Sequence, residues 1–109
     1  MRRDGSVQSV RRNVSEAFDS SMGRLDELYQ SARADAPTDF ITRIDFWRDS
    51  CGLPEQLAAL VHTLRIWRNA SVHLDEERWA RDGPPSAEAA TSHIAHLDAR
   101  LRELEAVRT

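Results

Sequence analysis

The residues best suited to chemistry lie in one short segment, Arg68-Asn69-Ala70-Ser71-Val72-His73. Arginine grips phosphate through a fixed fork of donors, and histidine, with an ordinary pKa of about 6.5, exchanges protons near neutrality. The placement of Arg68 is unusual. The apolar stripe Leu57, Val61, Leu64 continues to position 68, so an arginine stands where an apolar residue is expected. Burying it unpaired is costly, so it must find a partner or face a groove. Asn69 follows with poor helix propensity. His73 is five residues further on, about 140° round an ideal helix, so the two do not share a face of one straight helix. They converge if the helix ends or distorts before His73, or if two chains bring their copies together across a symmetric interface. The competing reading makes Arg68 and His73 a structural set of helix-end hydrogen bonds and ion pairs.

Other constellations are weaker. His93 and His96 lie three apart on the last helix, with His62 on the third helix and Asp75 nearby in sequence, and such residues suit zinc. No H-E-x-x-H or cysteine spacing supports a site, so no metal is expected, and His93 and His96 are expected to flank the seam of Ile94 and Leu97 in solvent. Trp47 and Trp67 fit core positions. Trp79, in the polar stretch Glu77-Arg78-Trp79-Ala80-Arg81, is with Arg78 the best candidate for an RNA contact, since an aromatic face stacks on a base; the alternative is that Trp79 anchors its loop onto the bundle. Arg2, Arg3, Arg11 and Arg12 read as a solvated, partly frayed terminus. Gly-rich phosphate loops, Ser/His/Asp signatures and paired catalytic carboxylates are lacking, so nucleotidyl transfer, kinase and hydrolase readings have no support, and no cofactor is expected.

The elements that must position these residues are helices. Val7, Val10, Val14, Phe18, Met22, Leu25, Leu28 (or Tyr29) and Ala32 recur at steps of three and four, which predicts one long helix with Ser6 as its cap and a site of potential kinking at Gly23. Asp35-Ala36-Pro37-Thr38 breaks the pattern. A second helix is predicted from Thr38 or Asp39, with Phe40, Ile41, Ile44 and Trp47 on its apolar face and Cys51-Gly52 at its end. Pro54 suits the first turn of a third, which turns Leu57, Leu60, Val61, Leu64 and Trp67 to the core and ends between His73 and Trp79. Asp75-Glu76-Glu77 opens a short separate turn, and Asp82-Gly83-Pro84-Pro85 is a loop. Ser86 caps a last helix whose Ala87, Ala90, Ile94, Leu97, Leu101 and Leu104 form nearly a heptad seam.

Composition bounds the rest. The chain has 109 residues, 40% hydrophobic and 30% charged, which suits one all-α domain over residues 1–109, a small bundle of four to five helices. Net charge is −3, so any RNA contact has to be local. All 15 basic residues are arginines, a usage that genome base composition also produces. The single Cys51 excludes an internal disulfide and reads as a small core residue. No apolar run approaches a membrane span, and no secretory signal follows Met1, so a soluble, cytoplasmic protein is expected.

Arg68-Asn69-Ala70-Ser71-Val72-His73 resembles the R-N-x-x-x-H form of the R-x(4–6)-H motif of HEPN domains. The setting is similar too: the motif closes the third helix of a small helical bundle, after the Leu60-to-Asn69 pattern "LxxxLRxWRN" and before an Asp75-to-Pro84 segment like that of HEPN-like modules. The resemblance implies a metal-independent endoribonuclease acting as a homodimer, with the two motifs facing each other in a cleft. His73 would then be general acid or base for attack of a ribose 2′-OH on the adjacent phosphate, Arg68 would stabilise charge on the phosphorane-like transition state, and Asn69 would orient phosphate or histidine. The product would carry a 2′,3′-cyclic phosphate. One departure stands out: toxin members often continue R-x4-H-x-Y, and here Asp75 replaces the tyrosine. An acidic run there repels RNA phosphate, or raises the pKa of His73 and keeps it an acid. Many HEPN-like domains have lost catalysis and serve as dimerisation or sensing modules. The resemblance therefore implies one of two sets of partners. The first is RNA, with an antitoxin if the chain stands alone. The second is a fused effector within a larger signalling or defence system, if the chain is a domain of a longer protein.

Overall fold

A computed structural model describes residues 2–72 and 75–108, with side chains from 8 to 72 and from 75 to 107. The architecture is all-helical: α1 (Arg2–Leu28), α2 (Phe40–Ser50), α3 (Glu55–Val72), α4 (Glu76–Asp82) and α5 (Ala87–Arg108), with no strand among the described residues. A single 3₁₀ turn, Gln30–Ala32, follows α1.

Helix α1 is held by its apolar stripe. Val14, Phe18, Met22, Leu25 and Tyr29 are buried at steps of four, four, three and four, the spacing that keeps one face of a 3.6-residue helix inward. The expected cap, Ser6, lies inside α1. Arg2 and Arg3 are good helix formers, and a single glycine at position 5 costs only about 1 kcal/mol. The helix continues unbroken through Gly23, where the added methyl of an alanine would meet nothing within 4 Å.

Asp39 starts α2 from an extended backbone by accepting the Thr42 N–H at 3.1 Å. Gly52 ends it at φ 86°, a left-handed conformation that lets the Leu53 N–H close on the Trp47 carbonyl at 3.0 Å. The predicted inner face of α2 is only half right. Ile44 and Trp47 are buried, whereas Phe40 and Ile41 are 38% and 45% exposed. The first turn of α2 lies at the rim of the core, where the Phe40 ring meets Phe18 of α1 edge to face. Cys51, expected in the core, is half-buried at its edge.

Helix α3 is the hub, packing on α1, α2, α4 and α5. Leu57, Ala58, Val61, Leu64, Trp67 and Ala70 are buried along it. On the other side of the core α5 contributes Ala90, Leu97 and Leu101, after Ser86 accepts the Ala89 N–H at 3.0 Å. Arg24 ties α1 to α5: its Nη1 donates to Asp98 at 2.7 Å and its Nη2 to Glu105 at 2.6 Å. Arg43 ties α2 back to α1 through Asp26, with a further bond to the Pro37 carbonyl at 3.1 Å. Among the described residues no helix is long and apolar enough to cross a membrane.

Candidate functional site

The end of α3 meets α1 in an antiparallel seam. Three α1 residues at intervals of four and three, Arg11, Ser15 and Phe18, meet Trp79, Ser71 and Arg68 in turn. The Arg11 guanidinium carbon lies 5.0 Å from the centroid of the Trp79 ring. The Ser15 and Ser71 hydroxyls are 2.8 Å apart, and the Ser71 hydroxyl also donates to the Arg68 carbonyl at 2.7 Å. The Arg68 guanidinium carbon lies 5.8 Å from the Phe18 centroid.

Arg68 is half-buried, and its environment is aromatic. Phe18 and Phe40 stand edge to face, 5.1 Å apart at 81°, and the guanidinium carbon is 5.7 Å from the second ring. No carboxylate among the described residues pairs with it. Its Nε is buried without an acceptor. The rings explain how an arginine sits at the end of an apolar stripe: the stem packs as a hydrocarbon and the charge is held over π-faces. Phe40, displaced from the core, is one of those props. Asn69 follows in the last turns of α3 and is half-buried. His73, the third residue of the motif, lies outside the described residues, as does Leu74.

Asp75 marks where the backbone turns. Its extended conformation starts α4, and its carboxylate accepts the N–H groups of Glu77 at 3.0 Å and Arg78 at 3.5 Å. This carboxylate is therefore engaged in capping, and the acidic run Asp75-Glu76-Glu77 opens a short separate helix, as expected. Arg78 faces Asp82, 3.9 Å away, so its charge has an acidic neighbour. Trp79 is half-buried against the core, which is the anchoring arrangement. Besides Arg11, Gly83 packs on it so closely that a Cβ there would lie 2.9 Å from the indole and 2.5 Å from the Trp79 carbonyl.

The histidines divide differently from expectation. His93 is not solvated: its Nε2 bonds to the Leu60 carbonyl at 2.9 Å, and its ring lies 4.8 Å from that of Trp67. A position flanking the heptad seam reaches a neighbouring helix once that helix is fixed, which sequence spacing alone does not show. His96 is exposed. His62 pairs with Asp45 at 2.8 Å and accepts from Arg65 Nε at 3.4 Å. Among the described residues no three His, Cys, Asp or Glu side chains gather closely enough to hold a metal.

Arg11 is the residue the sequence reading passed over. Grouped with the terminal arginines, it is instead half-buried, with its Nε shielded and without an acceptor among the described residues. The available signal was its register, one heptad before Phe18 on the inward side of α1.

Comparison of the chain with protein-family models, with curated proteins and with solved structures gives no match in any of the three.

Proposed function

We propose that this is a HEPN-like helical domain that binds RNA and cleaves it without a metal, as a homodimer, through Arg68, Asn69 and His73. The observation that carries the reading is the state of Arg68: a guanidinium set against a pair of rings at the end of α3, with no carboxylate to neutralise it among the described residues. A structural arginine of a helix end is normally held by an acid, as Arg24 and Arg43 are here. An arginine kept cationic without one is suited to a ligand that brings its own negative charge.

In this reading Arg68 holds the scissile phosphate, the ribose 2′-oxygen attacks phosphorus, and the bond to the 5′-oxygen breaks. His73 moves the proton, from the 2′-OH or to the departing 5′-oxygen, and a second copy supplies the complementary group. The capping bonds of Asp75 support it, since a carboxylate engaged by two backbone N–H groups competes less with RNA phosphate for Arg68.

A second reading has one specific observation in its favour. Phe40, Ile41 and Val72 are exposed near Arg68, Val72 by 51%, which suits a non-catalytic dimerisation or interaction module within a larger signalling or defence system. Cleavage of a mixed single-stranded RNA pool in EDTA, wild type against His73→Ala, separates the two. Cutting that leaves cyclic phosphate ends and disappears in the variant supports the nuclease; absence of cutting, or equal cutting by both, leaves the interaction module.

A further inference from the structure

We propose that Arg11 is a second phosphate-binding cation of the Arg68 site, so that α1 and α3 together hold one RNA strand at two points along their seam; the inference rests on the RNA reading above. Eight of the described arginines are half-buried. Six of these have a hydrogen-bond or ion-pair partner: Arg24 with Glu105, Arg43 with Asp26, Arg48 with Asp49, Arg65 with His62, Arg78 with Asp82 and Arg100 with Gln56. Arg11 and Arg68 have none among the described residues, and in both the shielded nitrogen is Nε.

The two share a construction. Each lays its guanidinium against aromatic carbon, Trp79 in one case and Phe18 with Phe40 in the other. A ring contact holds the charge in place without using up the terminal N–H groups, which arginine offers to phosphate. They also share a location. Arg11 and Phe18 are seven residues apart, about 10 Å along α1, and the Ser15–Ser71 bond locks α1 to α3 between them. A strand following the seam meets both cations. Trp79 then serves as the support of Arg11 rather than as a platform for a base, because Arg11 and Gly83 already occupy its surroundings.

The test is fluorescence anisotropy with a labelled 2′-O-methyl RNA of mixed sequence, which cannot cyclise, about 12 nucleotides long and so within the range of single-strand site sizes. Wild type, Arg11→Gln, Arg11→Lys and Arg68→Gln are titrated over a series of salt concentrations, each after a thermal melt. Arg11→Gln is expected to bind about tenfold more weakly, with the slope of log K against log salt reduced by about 0.7, the value for one phosphate contact on a single strand. Arg11→Lys, which keeps the charge but not the planar fork, restores the slope even if Arg11→Gln melts early. Wild-type affinity and slope in Arg11→Gln, or a lysine variant no better than the glutamine one, overturn the inference while loss of binding in Arg68→Gln keeps the RNA reading intact. A wild type that does not bind this RNA overturns both.

Discussion

Replacing Arg68 by leucine separates a ligand-binding arginine from a structural one. If Arg68 stabilised the end of α3, its removal would cost the fold. Its contacts give a different balance. The buried Nε without an acceptor carries a penalty of about 1–3 kcal/mol, which the substitution removes. Against this, two guanidinium–ring contacts, with Phe18 and Phe40, are lost at about 0.5–1 kcal/mol each. Leucine also continues the stripe of Leu57, Val61 and Leu64, all 0–2% exposed. Arg68→Leu is therefore expected to lie within about 1 kcal/mol of wild-type stability or above it, while RNA binding and cleavage are lost. Urea unfolding followed by tryptophan fluorescence reads this directly, since Trp47 and Trp67 are core residues. With m of about 2 kcal/mol/M, a 2 kcal/mol loss would lower the midpoint by about 1 M. A midpoint lowered by that much, with m unchanged, would refute the argument and return Arg68 to the scaffold.

Gly83→Ala should destabilise by about 1–3 kcal/mol, because its Cβ would meet the Trp79 carbonyl at 2.5 Å and overpacking costs that much; an unchanged melting temperature would contradict the contact. Gly23→Ala should do the reverse, since position 23 is helical with open space around it, and alanine is favoured there by about 0.8–1 kcal/mol; a loss of stability in thermal melts would show that α1 bends at this point. The third concerns acid. Hydrogen bonds from Arg24 hold the Asp98 and Glu105 carboxyls below their ordinary values of 3.8 and 4.5. The folded chain thus binds fewer protons there than the unfolded one, so the stabilisation is complete above about pH 5 and lost as pH falls through and below those values. Urea midpoints at descending pH should drop more steeply for wild type than for Arg24→Gln; parallel curves would remove the Arg24 clamp from the acid response.

The helices could be read from the chain because their signals are local. Ser86 caps α5 as its side chain and position suggested, Asp39, one of the two starts left open for α2, caps that helix, and Gly52 ends α2 in the conformation that a missing Cβ permits. The buried stripe of α1 from Val14 to Leu25 follows from a period of 3.6 residues, as does that of α3 from Leu57 to Trp67. Even the oddity of Arg68 was visible, as a charge at an apolar position. Packing decided what periodicity could not. A stripe says that a face is covered but not which neighbour covers it or where coverage stops, so Phe40 and Ile41 counted as core although only Ile44 and Trp47 of that face are buried. His93 had no partner until α3 brought the Leu60 carbonyl and the Trp67 ring alongside α5. Arg11 belonged to a solvated terminus until the antiparallel seam set it on Trp79. Arg68 required a partner or a groove, and it took two rings from two other helices. Helix formation depends on neighbours three and four residues away, whereas the environment of a charge depends on which distant residues the core brings within about 6 Å, the reach of a guanidinium–ring contact.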